Sequence, residues 1–157
     1  MRRVDREVTD RSQIDEIIRS CLVCHIGMSK DDRPYVLPFS FGYVDGCIYI
    51  HTADCGAKIE YFTTNPYVAF CLESDVELVS SPEPPCSWSF KYQSVAGRGS
   101  ITEVTAQDER MSALASIVSH YGHSDHPFSA VALKKLRVWR IEIHSISGKS
   151  SLPQDAC

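Results

Sequence analysis

The Asp45-Gly46 pair constrains the fold of this chain more than any other feature of its sequence. It lies between two apolar segments, residues 34–44 and 47–52. An Asp-Gly pair in this position favours a tight type I′ turn, because glycine readily adopts the positive φ that this turn needs. Such a short turn joins only antiparallel strands. The sequence therefore predicts a β-hairpin with strands 34–44 and 47–52, and with it an antiparallel sheet.

Other short apolar segments, separated by turn residues, predict the remaining strands. These strands are residues 21–28, 67–72, 87–104 and 138–143. Gly97 and Gly99 mark a bulge within the longest of them. Helical spacing of apolar residues predicts helices over residues 11–20, 57–64, 106–120 and 128–136. Hairpins predominate, so we expect a mainly β fold with flanking α-helices and a closed or nearly closed antiparallel sheet.

Two details of these elements can be compared with the structure. Asp10 is expected to cap the first helix, with Gln13 three residues later. The apolar face expected for the helix over 106–120 comprises Met111, Leu114, Ala115 and Val118.

The length of 157 residues predicts one domain, over residues 1–149, followed by a mobile tail over 150–157. The 34–44 strand is apolar on both faces, which requires cover on both sides. A barrel interior and a second subunit would supply that cover, so we expect a homodimer.

Composition excludes several classes of partner. Sixteen basic and twenty acidic residues give a net charge of −4, which argues against nucleic-acid binding. The N-terminus has no apolar stretch of the kind found in signal peptides, and no segment reaches the roughly 18 apolar residues of a membrane span. The seven cysteines are then expected to be reduced. We expect a cytoplasmic protein with neither a nucleic-acid nor a membrane partner.

Residues 49–62 carry the clearest functional signal. A predicted strand ends at His51-Thr52, the chain turns at Gly56, and a helix begins that carries Lys58. The first N–H groups of a helix and a nearby lysine together suit a phosphate. A solvated lysine beside an ordinary helix start is the alternative. The GxxxxGK[ST] pattern of a Walker loop is absent.

A set of ordered motifs resembles the pyridoxamine 5′-phosphate oxidase-like, FMN-binding split-barrel superfamily, and within it the flavoproteins of the 5-nitroimidazole-resistance type. The motifs are R33-P-Y-V-x-P38-x-S-F-x-Y43, D45-G46-x-I-Y-I-H51-T52, G56-x-K58, N65-P66 and S94-V-x-G97-x-G99. The resemblance covers about residues 1–149. It implies an antiparallel split β-barrel that dimerises and holds one FMN per subunit at the interface.

The resemblance also implies roles for particular residues. Lys58 and Thr52 would hold the FMN phosphate, and the Ser94-Val95 stretch would help to close the flavin site. His51 would lie beside the cofactor and is the candidate catalytic residue, as a proton donor. The strand that would lie along the isoalloxazine, largely through main-chain groups, comprises Pro38, Phe39, Ser40 and Phe41.

The function implied is that of an FMN-dependent oxidoreductase, which takes electrons from a reduced nicotinamide cofactor such as NAD(P)H. The acceptor would be a small electrophilic molecule, for which nitro-aromatics are the suggested example. A flavin- or haem-binding carrier or sensor is the alternative, with His25, His51 and the histidines of 120–126 as candidate axial ligands. A third alternative is a true pyridoxamine 5′-phosphate oxidase. Such an enzyme would need a second basic cluster for its substrate phosphate, and the sequence shows none.

Two side-chain clusters compete with this site. Cys21-x-x-Cys24 lies where a helix is expected to end, whereas a redox pair needs a helix N-terminus, so we expect buried structural thiols and no metal. His120, His123 and His126 could bind a metal, but a solvated loop is favoured. Cys55, beside the proposed anion site, is open to oxidation.

Overall fold

The computed structural model describes residues 3–82, 84, 86, 88–123, 128–129 and 133–152. Within these residues the strands are β1 Glu7–Val8, β2 Cys24–Lys30, β3 Arg33–Phe39, β4 Phe41–Val44, β5 Cys47–Ala53, β6 Tyr67–Val79, β7 Ser89–Glu103 and β8 Leu136–Ser150. The helices are α1 Arg11–Ser20, α2 Ala57–Thr64 and α3 Gln107–His120, and a single 3₁₀ turn, Val4–Arg6, precedes β1.

The strands form one antiparallel sheet in the order β3-β2-β6-β7-β8-β5-β4, with β1 added to β8. The two ends of this order, β3 and β4, are consecutive in the chain and are joined through Ser40. The sheet therefore curls until its ends meet without pairing. The predicted split barrel is confirmed, and the opening between β3 and β4 is its split.

The predicted hairpin is confirmed at its turn but not in its first strand. Asp45 and Gly46 have φ values of 51° and 74°, as a type I′ turn requires. The strand predicted over 34–44, however, breaks at Ser40, where β3 leaves its partner β2 and β4 begins to pair with β5. Phe39 and Phe41 are both buried in the core, so the alternation of apolar residues continues across the break. Hydropathy cannot reveal such a change of partner.

The core fills the barrel interior and extends beneath α1. Asp10 caps α1 as predicted, because its carboxylate accepts a hydrogen bond from the Gln13 amide at 3.0 Å. The buried face of the helix consists of Ile14, Ile17 and Ile18. The helix over 11–20 is confirmed.

The predicted face of α3 is correct at Leu114 but wrong at Ala115. The buried residues are Ala113, Leu114 and Ile117, whereas Ala115 is exposed. The helix packs on β4 over Gly42, so closely that a Cβ there would lie 2.7 Å from the Ile117 amide nitrogen. Because the helix lies so close to β4, the helix face with small residues is the one that packs there. The spacing of apolar residues alone does not show this preference. It also means that α3, and not a second subunit, covers the outer face of β4.

Replacing Gly42 by alanine is expected to destabilise the fold by about 1–3 kcal/mol, the usual cost of overpacking. The added methyl group would meet helix backbone, which cannot rotate away. Urea unfolding of the variant measures this loss. Gly27→Ala is the matched control, because a Cβ there comes no closer than 3.7 Å to the Ala69 carbonyl oxygen. Equal stabilities of the two variants would contradict the close packing of α3 on β4.

Two strands are longer than predicted, and the predicted bulge lies in a third. The strand predicted over 67–72 continues to Val79, and the predicted bulge is confirmed by a register shift between Arg98 and Gly99. The last strand, β8, runs through Ser150. Of the helix predicted over 128–136, residues 130–132 lie outside the described residues, as do 153–157 of the predicted tail. No helix in the described part of the chain is long and apolar enough to cross a membrane.

Candidate functional site

The split leaves two strand edges without a neighbour. β3 is the last strand of the sheet, so one side of its backbone pairs with no other strand of the described residues. β5 is longer than β4, which pairs only with Cys47–Ile50. Residues 51–53 therefore border the opening on the side opposite β3. Because unpaired N–H and C=O groups are strong hydrogen-bonding groups, this opening can hold a polar, planar ligand edge.

An aromatic cluster beneath the split joins its two sides. The indole N–H of Trp139, on β8, donates a hydrogen bond to the Thr52 hydroxyl at 3.0 Å. The Trp139 ring lies 5.1 Å from the Phe62 ring of α2, which lies 6.2 Å from the Phe39 ring of β3, centroid to centroid. These contacts fix α2 against the end of the barrel, so the start of α2 is held beside the opening.

Thr52 does not present its hydroxyl to the loop that follows it. The even-numbered residues of β5 face the barrel interior, and Thr52 is only 3% exposed. Its hydroxyl accepts the Trp139 hydrogen bond and donates one to the Ala53 carbonyl at 2.8 Å. The phosphate contact expected of this hydroxyl does not fit that orientation. The sequence missed the cause, which is a tryptophan distant in the chain whose buried indole needs an acceptor.

Lys58 lies in the first turn of α2, above Gly56. Gly56 has a φ of 107°, which favours glycine, and a Cβ at this position would lie 3.3 Å from the Lys58 Nζ. The Nζ makes one long contact, 3.5 Å to the Cys55 carbonyl oxygen. No carboxylate within the described ranges forms an ion pair with it. Gly56, Lys58 and the first amides of α2 thus form a cationic corner that fits a phosphate.

The strand residues expected to contact the flavin divide into two pairs. Phe39 and Phe41 are buried core residues, whereas Pro38 and Ser40 are exposed on the outer face. The Phe41 amide already donates to the Tyr121 hydroxyl at 3.1 Å, so it is not free for a ligand. Contacts with a ligand at this strand are thereby restricted to the Pro38 and Ser40 side chains and to main-chain groups of β3.

His51 lies on the opposite face of β5 from Thr52 and is half-buried. Its Nδ1 is buried and has no hydrogen-bond partner among the described residues. An orphaned polar atom at the edge of the opening fits a ligand that would satisfy it. Burial lowers the pKa of His51, which favours the neutral ring. A hydrogen-bonding role fits this histidine better than the expected role as a proton donor.

Ser94 and Val95 lie elsewhere on the barrel. Val95 is fully buried in the interior, and Ser94 is half-buried between Glu73 and Lys149 on the neighbouring strands. Three strand spacings, about 14 Å, separate β7 from β3 along the sheet. Within one subunit, Ser94 therefore lies three strands along the sheet from the strand that was expected to contact the flavin.

The cysteine pair is structural. Cys21 and Cys24 are buried, and burial raises the pKa of both thiols, that of Cys21 to about 11. The Cys21 thiol donates to the Ile17 carbonyl at 3.1 Å. These thiols are protonated at neutral pH and do not react readily, as the sequence indicated.

The histidine cluster is not assembled in the described structure. His120 Nε2 hydrogen-bonds the Cys21 carbonyl oxygen at 2.7 Å, and its ring packs 4.2 Å from that of Phe41. His126 lies outside the described residues. Among the residues that are described, no group of three metal-ligating side chains is found.

Comparisons with known proteins agree with this architecture. A Bacteroides thetaiotaomicron protein, assigned provisionally to 5-nitroimidazole antibiotic resistance, is 28% identical, with a TM-score of 0.80 over 91% of this chain and 85% of that one. The flavocytochrome Anf3 of Azotobacter vinelandii is 16% identical, with a TM-score of 0.81 over 98% of this chain and 72% of that one. A FAD-binding protein of Mesorhizobium loti is 22% identical, with a TM-score of 0.68 over 94% and 98%.

No curated protein sequence matches the chain. The profile of the pyridoxamine 5′-phosphate oxidase family, in contrast, matches residues 10–150, which include the split, the cationic corner and every strand from β2 to β8. The chain therefore belongs to the pyridoxamine 5′-phosphate oxidase family.

Proposed function

We propose that this protein binds FMN at the split and passes electrons from a reduced nicotinamide cofactor to a small electrophilic acceptor. The observation that carries the proposal is the position of the Lys58 corner beside the unpaired edge of β3. A phosphate group and a planar hydrogen-bonding ring could occupy the two at once. FMN, which is riboflavin 5′-phosphate, combines such a phosphate group with such a ring.

The chain's own groups would bind and orient the cofactor. Lys58 and the first amides of α2 would hold the phosphate, and main-chain groups of β3 near Pro38 and Ser40 would hydrogen-bond the ring edge. His51 Nδ1 would gain the partner that it lacks. The flavin, when bound, supplies the electron-transfer chemistry, and the protein supplies orientation and electrostatics.

The nitro-aromatic class of acceptor is supported by the Bacteroides thetaiotaomicron relative, which has the same fold and 28% identity. Anaerobic mixing with NADH or NADPH, followed by a nitroimidazole, tests the electron-transfer part of the proposal. We expect the 450 nm band of bound flavin to bleach with the donor and to return with the acceptor. Bound flavin that the nicotinamides do not reduce would contradict the proposed electron donor.

A carrier or sensor that binds haem is the competing function, because flavocytochrome Anf3 shares the fold. At 16% identity that likeness concerns the fold alone. The absorption spectrum of freshly purified protein distinguishes the two, since a Soret band would indicate haem and contradict our proposal.

A second subunit would complete the site. The outer sheet face is continuous from β3 to the far end of the β6–β7 hairpin, and it exposes Val36, Tyr67, Leu78 and Phe90. Val36 is 60% and Tyr67 69% exposed, so together with Leu78 and Phe90 they leave several apolar side chains uncovered on one sheet face, which is typical of an interaction surface. A second copy of this chain on that face would cover them and could bring its Ser94 toward the flavin.

We therefore expect a homodimer. Sedimentation equilibrium at micromolar concentration with FMN present should give twice the chain mass of 17.6 kDa. Val36→Lys, which places a charge in the middle of the proposed interface, is expected to shift the equilibrium toward monomer. A wild-type protein that sediments as a monomer would contradict this assembly.

The same proposal places the protein in the cytoplasm. All six cysteines among the described residues are free, and Cys21 and Cys24 among them are buried. Free thiols are typical of a reducing compartment.

A further inference from the structure

Three chemically active side chains lie together on the outer sheet face, next to the proposed flavin strand. His25, in the middle of β2, is directly opposite Pro38 of β3 on one side and Cys71 of β6 on the other. Glu73 follows on the same face of β6. His25 is thus one strand spacing, about 5 Å, from the strand proposed to contact the flavin.

Glu73 links the other two side chains. One carboxylate oxygen lies 3.7 Å from His25 Nδ1, and the other accepts a contact from the Cys71 thiol at 3.7 Å. The carboxylate therefore faces Nδ1 of the imidazole, and the other ring nitrogen, Nε2, makes no carboxylate contact among the described residues. The His25 side chain is 41% exposed in one subunit, so it is open to a small molecule held between this face and the second subunit.

On the strands that pair with β2, and among the described residues, Glu73 is the charged group that faces His25. The titratable groups that face it are Glu73 and Cys71, both on β6. The neighbouring strand β3 presents Val36, Pro38 and Ser40 on this face. Burial and Glu73 both raise the pKa of the Cys71 thiol, so Cys71 stays neutral and Glu73 supplies the negative charge beside His25.

We propose that His25, oriented by Glu73, is the proton donor to the electron acceptor bound on the outer face of β3. This inference deepens the proposed function and rests on it. His51 is a poor alternative, because its Nδ1 is buried and it lies across the split from this face. Histidine is the side chain whose proton is exchanged most readily near neutral pH.

The step balances as follows. Reduced flavin would transfer a hydride, which is one hydrogen with two electrons, to the acceptor. The flavin would thereby be oxidised and the acceptor reduced. The acceptor's heteroatom then gains the proton of the His25 imidazolium, so that the bond from ring nitrogen to hydrogen breaks and an O–H or N–H bond forms. The neutral imidazole takes a proton back from water.

Three variants test this assignment in the FMN-loaded protein. His25→Gln removes the proton donor and keeps a hydrogen-bonding amide, and Glu73→Gln removes the charge that orients it. His144→Gln is the matched control, because His144 is an exposed histidine on β8 that pairs with Ser100. The probe is a neutral nitroimidazole, with stopped-flow reoxidation of reduced flavin followed as a function of pH.

We expect reoxidation to slow by about 100-fold in His25→Gln, the lower range for general acid catalysis. The acid–base inflection of the rate should disappear with it. Glu73→Gln should slow the reaction by a smaller factor and keep the inflection, whereas His144→Gln should match the wild type. Binding of the nitroimidazole to the oxidised protein, measured by flavin fluorescence, should weaken only about two- to tenfold in His25→Gln, the loss of one hydrogen bond.

Two results would overturn the assignment. A His25→Gln protein with wild-type reoxidation rates and pH profile would show that His25 donates no proton. An equal loss of nitroimidazole binding and rate would show that His25 acts only in binding. Failure of the wild-type protein to bind FMN is a separate result, which would contradict the proposed function itself. If His25→Gln does not fold, Glu73→Gln provides the test, because Glu73 is exposed and its substitution is expected to leave the fold intact.

Discussion

Replacing Lys58 by alanine is expected to weaken FMN binding by roughly ten- to a hundredfold, the effect of losing one charge-assisted contact to phosphate. Riboflavin, which lacks the phosphate, should bind the variant and the wild type equally. The reason is the geometry of the corner, where the Lys58 Nζ folds above Gly56 without a carboxylate partner. Fluorescence titration with each flavin measures the two affinities.

Two further variants sharpen the Lys58 test. Lys58→Arg keeps the positive charge and should restore most of the FMN affinity. Lys91→Ala removes a lysine that pairs with Glu77 far along the β6–β7 hairpin, and it should change neither affinity. If Lys58→Ala weakened riboflavin as much as FMN, Lys58 would act on the fold or on the ring, and not on the phosphate.

Replacing Trp139 by alanine is expected to reduce the free energy of unfolding by about 3–5 kcal/mol, as for other buried aromatic residues. Trp139 is 2% exposed, packs against Phe62 and donates its indole hydrogen bond to Thr52. The Arg137 guanidinium also lies 5.0 Å from the centre of its ring. Loss of the ring removes the contact between β8 and α2, and so the support of the phosphate corner. Urea unfolding is the measurement.

Trp139→Phe separates the two contributions of this side chain. It keeps an aromatic ring but not the indole N–H, so its loss of stability should be clearly smaller than that of the alanine variant. Trp88→Phe is the control for tryptophan fluorescence and stability, because Trp88 is 44% exposed on the β6–β7 hairpin. Similar stabilities for Trp139→Ala and Trp88→Phe would contradict the central position of Trp139.

The local signals in the sequence were sufficient for most of the elements. Asp10, Asp45-Gly46 and Asn65-Pro66 each act on backbone close to them in the sequence, so the start of α1, the β4–β5 turn and the end of α2 were predicted correctly. The break at Ser40 and the buried face of α3 were not. Both depend on which element lies opposite, a property that no single segment contains.

The candidate site was predictable to a similar extent. The strand–Gly–Lys–helix order marks Lys58 and Gly56, because the residues that form the corner are close in sequence. The polar groups of Thr52 and Phe41 already hydrogen-bond Trp139 and Tyr121, which come from distant segments and could not be foreseen from the local sequence. His25 and Glu73 come together only through the pairing of β2 with β6, which the sequence did not specify.

The most direct test of the central claim is equilibrium titration of the purified, flavin-free protein with FMN, followed by the visible absorption of the bound flavin. Our account predicts saturable binding of one FMN per subunit, tighter than that of riboflavin. Absence of FMN binding, or equal affinity for FMN and riboflavin, would contradict the assignment of the split and its Lys58 corner as an FMN site.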